Sequence, residues 1–167
     1  MTDKAMDDAS HGGQVSARLE YVFETRVFFR PERCVFGPRP GGGSQGYTPC
    51  SGGEIYGPKL SGRVVPDSGA DFADVRGDGT IVIKSHYLLE ADDGTKIYIN
   101  NNGYLVPASK GEAKIVNGTP QPAYFRFTPT FIVPAGPQEW LGRTLFVGAG
   151  ERRSDPDHSI FTYYAVR

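Results

Sequence analysis

Apolar residues in this chain recur with a period of two over short stretches, and no stretch of ten or more residues shows a 3.6-residue period. Period two marks a strand with one buried face, so helix is excluded as the main element. Glycine and proline, 22 and 13 of 167 residues, stand between and inside the runs without a collagen-like repeat. Eight or nine short strands with turn signals every ten or so residues predict an all-β domain, either a closed barrel or a sandwich. The Gly/Pro breaks favour a closed or nearly closed antiparallel β-barrel, because such breaks let a sheet bend to closure. The expected organisation is one barrel domain over residues 18–167, preceded by a polar, unpatterned and disordered tail at 1–17.

Charge narrows the function classes. Eighteen Lys and Arg against nineteen Asp and Glu give a formal net charge of -1. That leaves no basic surplus for neutralising phosphates, so no nucleic-acid partner is expected. No apolar run is long enough for a membrane span, and MTDKAMDDASHGG lacks the apolar core of a signal peptide. A soluble, cytoplasmic protein is the expectation. Cys34 and Cys50 are too few for a zinc site, and free thiols are favoured over a bridge. Cys50 lies in a glycine-flanked loop where a nucleophile could sit, but no nearby His or Asn supports that role.

The order of elements follows from the same pattern. Residues 18–30 form a first strand, in which Leu19, Tyr21 and Phe23 share one face. The Pro/Gly-dense stretch from 31 to 50 reads as a long loop, of the kind that often serves as a lid or mouth segment. Strand pieces return in GGEIYGPKLSGRVV and ADFADV. The clearest hairpin is TIVIKSHYLLEA–DDG–TKIYINNNGYLV, with Gly94 in the left-handed position of a three-residue loop. Residues 107–121 form another loop, in which Asn117-Gly118-Thr119 is either a glycosylation sequon or simply a turn, the turn being favoured. Three strands remain, AYFRFTPTFIV, WLGRTLFVGAG and SIFTYYAV.

A three-residue hairpin loop sets Glu90 opposite Lys96, Leu88 opposite Tyr98 and His86 opposite Asn100; a two-residue loop would regroup them. One face then carries Ile81, Ile83, Tyr87, Leu89, Ile97 and Ile99. The other carries Lys84, His86, Glu90, Lys96, Tyr98 and Asn100, and either looks at water or lines an internal cavity. His86 is a candidate general base near neutral pH, or a half-exposed strand histidine. Tyr98 and Asn100 could donate to a carbonyl or enolate oxygen, or be surface polar residues. Asp71, flanked by apolar residues, would have its pKa raised by burial and suit proton transfer, unless it merely caps a turn. Glu54 points into a cavity or to solvent. Arg126, in YFRF, holds an anionic or phenolic oxygen or stacks outward on neighbouring rings. Trp140 begins a strand as a core plug or a stacking surface at the barrel mouth. GGGSQG and GAGER resemble phosphate loops only superficially, lacking the strand–helix context.

The motifs GGEIYGPKLSG at 52–62, GADF at 69–72, DG at 78–79, HYLLEADDGTKIYI at 86–99, FTPTF at 127–131 and WLGRTLFVGAGER at 140–152, with YYAV near the end, resemble the domain of unknown function family 3237. The resemblance covers about three quarters of the chain. It implies a calycin-like or cyclase-like barrel, often a homodimer, in relatives that accompany catabolism of aromatic or other small organic compounds. The family pattern has an arginine where this chain has His86, a tryptophan at Phe72, an acid at Ile132 and an asparagine at Gly142. An imidazole in place of a guanidinium exchanges anion holding for proton transfer.

These readings converge on a cofactor-independent isomerase, cyclase or lyase, with neither metal nor nucleotide. Its substrate would be a small oxygenated aromatic or polyketide-like carbonyl compound inside the barrel. His86, Asp71 and Tyr98 are the expected catalytic groups, and Asn100, Arg126, Glu54 and Trp140 the expected binding groups. The alternatives are a non-catalytic carrier or sensor of a hydrophobic small molecule, and a structural partner assembling through AYFRF and IFTYY.

Overall fold

Strand forms wherever the period-two pattern runs, and the strands close on one another. The computed structural model describes residues 16–167, so the expected tail, apart from residues 16 and 17, lies outside the described residues. Along the chain come β1 (Leu19–Phe29), β2 (Cys34–Phe36), β3 (Ser44–Tyr56), β4 (Gly62–Val64), β5 (Ala70–Asp71) and β6 (Asp74–Val75). Then follow β7 (Ile81–Ala91), β8 (Lys96–Val106), β9 (Ile115–Val116), β10 (Thr119–Pro120), β11 (Tyr124–Ile132), a 3₁₀ helix (Glu139–Arg143), β12 (Phe146–Ser154) and β13 (Asp157–Val166).

The circuit runs β1, β13, β12, β11, β8, β7, then the short pieces β4, β5 and β6 in one line, then β3, which pairs back onto β1. This is a closed antiparallel barrel with eight strand positions around it. Closure removes the open edges that a sheet of this size would otherwise expose. β2 prolongs the wall at one end, pairing along the same edge of β3 as β1 does.

The β7–β8 hairpin has the expected register, with Glu90 opposite Lys96 and His86 opposite Asn100. Gly94 takes φ 85°, its amide donates to the Ala91 carbonyl at 2.8 Å, and the Ala91 amide donates to the Thr95 carbonyl at 3.0 Å. A Cβ on Gly94 would meet nothing within 4 Å. Gly94→Ala is therefore expected to cost only the left-handed backbone, about 1 kcal/mol, or a melting-temperature drop of about 2–4 °C. An unchanged melting curve would show that the loop relaxes at no cost.

Several expectations need correction. The loop expected over 31–50 contains β2 and the first half of β3, because pairing on both edges overrides the low strand propensity of SQGYTPC. β12 begins at Phe146 rather than at Trp140, which stands in the 3₁₀ helix. The loop at 107–121 includes the β9–β10 pair, turned by Asn117 and Gly118 at φ 46° and 75°, so the turn is what forms there. In β1 the register shifts between Tyr21 and Phe23. Leu19 and Tyr21 are consequently exposed, while Val22 and Phe23 are both fully buried.

Aromatic rings fill the interior. Phe23 stacks on Tyr163 at 4.5 Å, and Phe127 meets Phe161 and Tyr163 edge-on at 5.4 and 5.5 Å. Gly148 and Gly150 leave room for the rings of Phe127 and Phe125, which a Cβ at either position would strike. The GAG of the GAGER segment is thus a packing requirement. The 3₁₀ helix closes the end where β7 turns into β8: Leu141 is buried in the core, and Gln138 Nε2 donates to Asp93 Oδ2 at 3.1 Å. Away from that end the packing opens.

Candidate functional site

Inward residues change character along the barrel axis. From the closed end come Leu89 and Ile97, then Tyr87 and Ile99, then Ser85 and Asn101. From Ser85 outward the walls enclose a cavity of about 280 Å³. Ile81, Ile83, Leu105, Phe125, Phe161 and Phe29 supply its larger apolar side chains, with Val35 of β2 at its mouth. Thr48, Ser85 and Ser159 supply hydroxyls, and the charged residues lining it are Arg33, Asp71 and Arg152.

Asp71 is held between Thr48 of β3 and Ser85 of β7. β5 approaches β7 this closely because residue 69 is glycine: a Cβ there would run into the His86 carbonyl oxygen. Burial pushes the Asp71 carboxyl up from its ordinary value, and the Lys84 amide, donating to Oδ1 at 3.1 Å, offsets this only in part.

Arg152 reaches in from β12. Its Nη1 donates to Ser159 Oγ at 2.8 Å and its Nη2 to Asp157 Oδ1 at 2.6 Å. Its guanidinium lies 5.3 Å from the centre of the Phe29 ring. From β12 to β5 the circuit passes β11, β8 and β7 in one direction, and β13, β1 and β3 in the other. Asp71 and Arg152 therefore stand on opposite walls of one cavity.

The hairpin face that carries His86 looks outward. Tyr87 and Leu89 are buried in the core while His86 and Leu88 alternate with them. His86 Nδ1 lies 3.3 Å from the Tyr98 hydroxyl, and Phe72 meets the imidazole edge-on at 5.4 Å. His86 and Phe72 border an outer hollow with Tyr47, Arg30 and Asp67. Ala70 pairs with His86 and Asp71 with Ser85, so Asp71 and His86 are one residue apart in register but separated by the barrel wall. Asn100 shares the outer face with Tyr98.

Other expected site residues are also elsewhere. Arg126 lies on the outside of β11, 5.7 Å from the Tyr124 ring centre, in a shallow hollow with Tyr104 and Tyr164. Glu54 faces outward and pairs with Arg26 at 3.5 Å. Trp140 packs against Phe146 at 5.8 Å at the closed end. Cys34 is exposed and Cys50 buried, both as free thiols, and burial pushes the Cys50 thiol up, away from a reactive thiolate. Of the seven expected site residues the cavity is lined by Asp71 alone.

Arg152 and Arg33 are the charged cavity residues that sequence reasoning missed, and Thr48, Ser85 and Ser159 the hydroxyl-bearing ones. A signal for Arg152 existed: counting by twos from Phe146 through Gly148 and Gly150 places residue 152 on the inward face. Arg33 lay within the segment expected to border the mouth, and it does.

The model of the family described as Protein of unknown function (DUF3237) matches residues 17–166. The chain belongs to this family. A UPF0311 protein of Rhodopseudomonas palustris strain CGA009 is 35% identical over 118 residues, 69% of this chain and 76% of that one. A UPF0311 protein of Clostridium acetobutylicum is 30% identical over 121 residues, 71% of this chain and 75% of that one. Among solved structures, a β-barrel like protein from Acinetobacter baumannii AYE superposes with a TM-score of 0.81 at 26% identity, covering 94% of this chain and all of that one. A crystal structure described as an enzyme from Penicillium herquei gives 0.69 at 18% identity, over 93% and 99% of the two chains, a likeness of fold alone. This DUF3237 chain thus shares the barrel of its relatives. No helix among its described residues is long and apolar enough to cross a membrane, and no three His, Cys, Asp or Glu side chains gather there as a metal-holding group.

Proposed function

We propose that this protein is an isomerase, cyclase or lyase that moves a proton on a small oxygenated carbonyl or phenolic compound held inside the barrel. The observation that carries this reading is Asp71, an acid whose pKa is raised by burial, in a largely apolar cavity with Arg152 on the opposite wall. A carboxyl tuned upward is suited to taking a proton from carbon next to a carbonyl and returning it at a second position. The electron pair left behind resides on the carbonyl oxygen as an enolate, and a guanidinium across the cavity stabilises that charge. Deprotonation to the enolate is the shared first step: returning the proton at a second carbon completes an isomerisation, attack of the enolate on an electrophilic carbon of the same molecule closes a ring, and expulsion of a β-leaving group, protonated by Asp71, completes an elimination. Thr48 and Ser85, flanking Asp71, can orient the substrate oxygen. The proton-transfer role first expected of His86 passes to Asp71 in this reading, because the imidazole faces the outside.

The test is mass spectrometry of small molecules released from purified, denatured protein, comparing wild type with Asp71→Asn and His86→Ala. A compound held by Asp71→Asn that wild type converts to an isomer or elimination product, with His86→Ala behaving as wild type, supports the proposal. The same unaltered compound on all three makes the protein a carrier. Conversion lost in His86→Ala but kept in Asp71→Asn would move the chemistry to the outer face.

A further inference from the structure

At the cavity mouth two guanidinium groups share one carboxylate. Asp157, on the rim at the start of β13, accepts from Arg152 through Oδ1 and from Arg33 through Oδ2. The nearby acids do not make up the difference: Glu32 and Asp155 pair with neither arginine, and Glu151 pairs with Arg153. Both guanidinium groups also lie over Phe29, Arg33 at 5.5 Å and Arg152 at 5.3 Å from the ring centre. The ring positions them without neutralising them. Arg152 Nε and Arg33 Nη1 have no acceptor among the described residues. Asp71, the remaining ionisable group lining the cavity, stands on the wall opposite Arg152, pairs with neither arginine and accepts from the Lys84 amide instead.

We infer that the cavity takes an acidic ligand bound as its anion, a carboxylate or an acidic enolate or phenolate, seated on Arg152 and Arg33 at the mouth with its apolar body inside. This inference rests on the cavity being the functional site and adds the charge of what fills it. Two positive groups against one negative leave an unbalanced charge beside a low-dielectric pocket, where a charge-assisted hydrogen bond has its greatest effect. Asp157 acts as a positioning residue, fixing both guanidinium groups toward the opening. A neutral isostere of the same shape brings one acceptor oxygen in place of two and no charge to offset the guanidinium groups.

The experiment is titration calorimetry of the full chain with 2-naphthoate and its uncharged isostere 2-naphthamide at pH 7 and low salt. The acid is expected to bind more tightly by about tenfold or more, a preference that collapses as salt rises. Arg152→Met should abolish the preference, Arg33→Met should reduce it, and Arg126→Ala, on the outer wall, should leave it intact. Near-ultraviolet circular dichroism verifies that each variant is folded; if Arg152→Met is not, Arg33→Met carries the test. Equal binding of acid and amide overturns the charge inference while leaving the cavity as a binding site. A preference lost in Arg126→Ala also overturns it, placing the anion in the outer hollow. Binding of neither compound overturns both the inference and the cavity reading.

Discussion

Asp71→Asn is expected to melt at a higher temperature than wild type at pH 7 while losing turnover by about 10²–10⁴-fold, the usual contribution of a positioned acid–base group. The sign of the stability change follows from linkage. A carboxyl whose folded-state pKa lies above its unfolded value, here near 3.8, binds its proton more tightly in the folded chain. Its favourable contribution is present below the unfolded pKa and is lost as pH rises through the raised value. At neutral pH the wild type bears the cost of a buried carboxylate, which Asn lacks, while Asn Oδ1 keeps the Lys84 amide as donor. The gap between the two melting temperatures should therefore shrink as pH falls toward 3.8. Calorimetric scans from pH 3 to 8 check this; a lower melting temperature for Asp71→Asn at pH 7 would show that the ionised carboxylate is stabilising and remove the basis for its tuning. Stability gained where activity is lost is the ordinary relation at a functional site.

The second large effect concerns closure of the barrel. Gly53 sits in β3 between Val27 of β1 and Val64 of β4. A Cβ there would run into the Arg26 carbonyl oxygen and crowd Val27 Cα. Both are backbone atoms and cannot swing aside as a side chain can, so Gly53→Ala must part β1 from β3 along the seam that closes the circuit. The expected cost is about 3 kcal/mol or more, lowering the melting temperature by about 6–12 °C for a domain of this size. Calorimetry of the variant decides it, and a loss below about 1 °C would mean that the seam can shift as a whole. The contrast with Gly94→Ala is informative: one glycine is needed for its backbone angle and the other for its missing side chain.

Local chemistry made much of this fold legible. The hairpin register around Asp92-Asp93-Gly94 followed from turn geometry, because a three-residue loop with glycine in the left-handed position allows one pairing. The first half of β3 did not follow, since SQGYTPC has poor strand propensity and becomes strand only through partners on both edges. The β1 bulge, which turns Leu19 and Tyr21 outward, likewise depends on pairing with β13.

The same division runs through the candidate site. Sequence alone determined that the chain is all-β and, given a three-residue loop, that His86, Tyr98 and Asn100 share a face; for Asp71 it left a carboxyl raised by burial and a turn cap both open, and burial in the closed barrel selects the first. Which face lies inside a closed sheet is not a property of one strand. In an isolated hairpin both faces meet water until the sheet curls, and the apolar face of β7 and β8 goes inward because apolar side chains from the other strands, among them Phe23, Phe127 and Tyr163, bury it. Tertiary structure alone set His86 outside, carried Arg152 from a distant strand to the wall facing Asp71, and brought Arg33 to the same carboxylate at the mouth. Closure of the barrel is the physical reason: it joins strands remote in sequence and fixes which side of each is shielded from water.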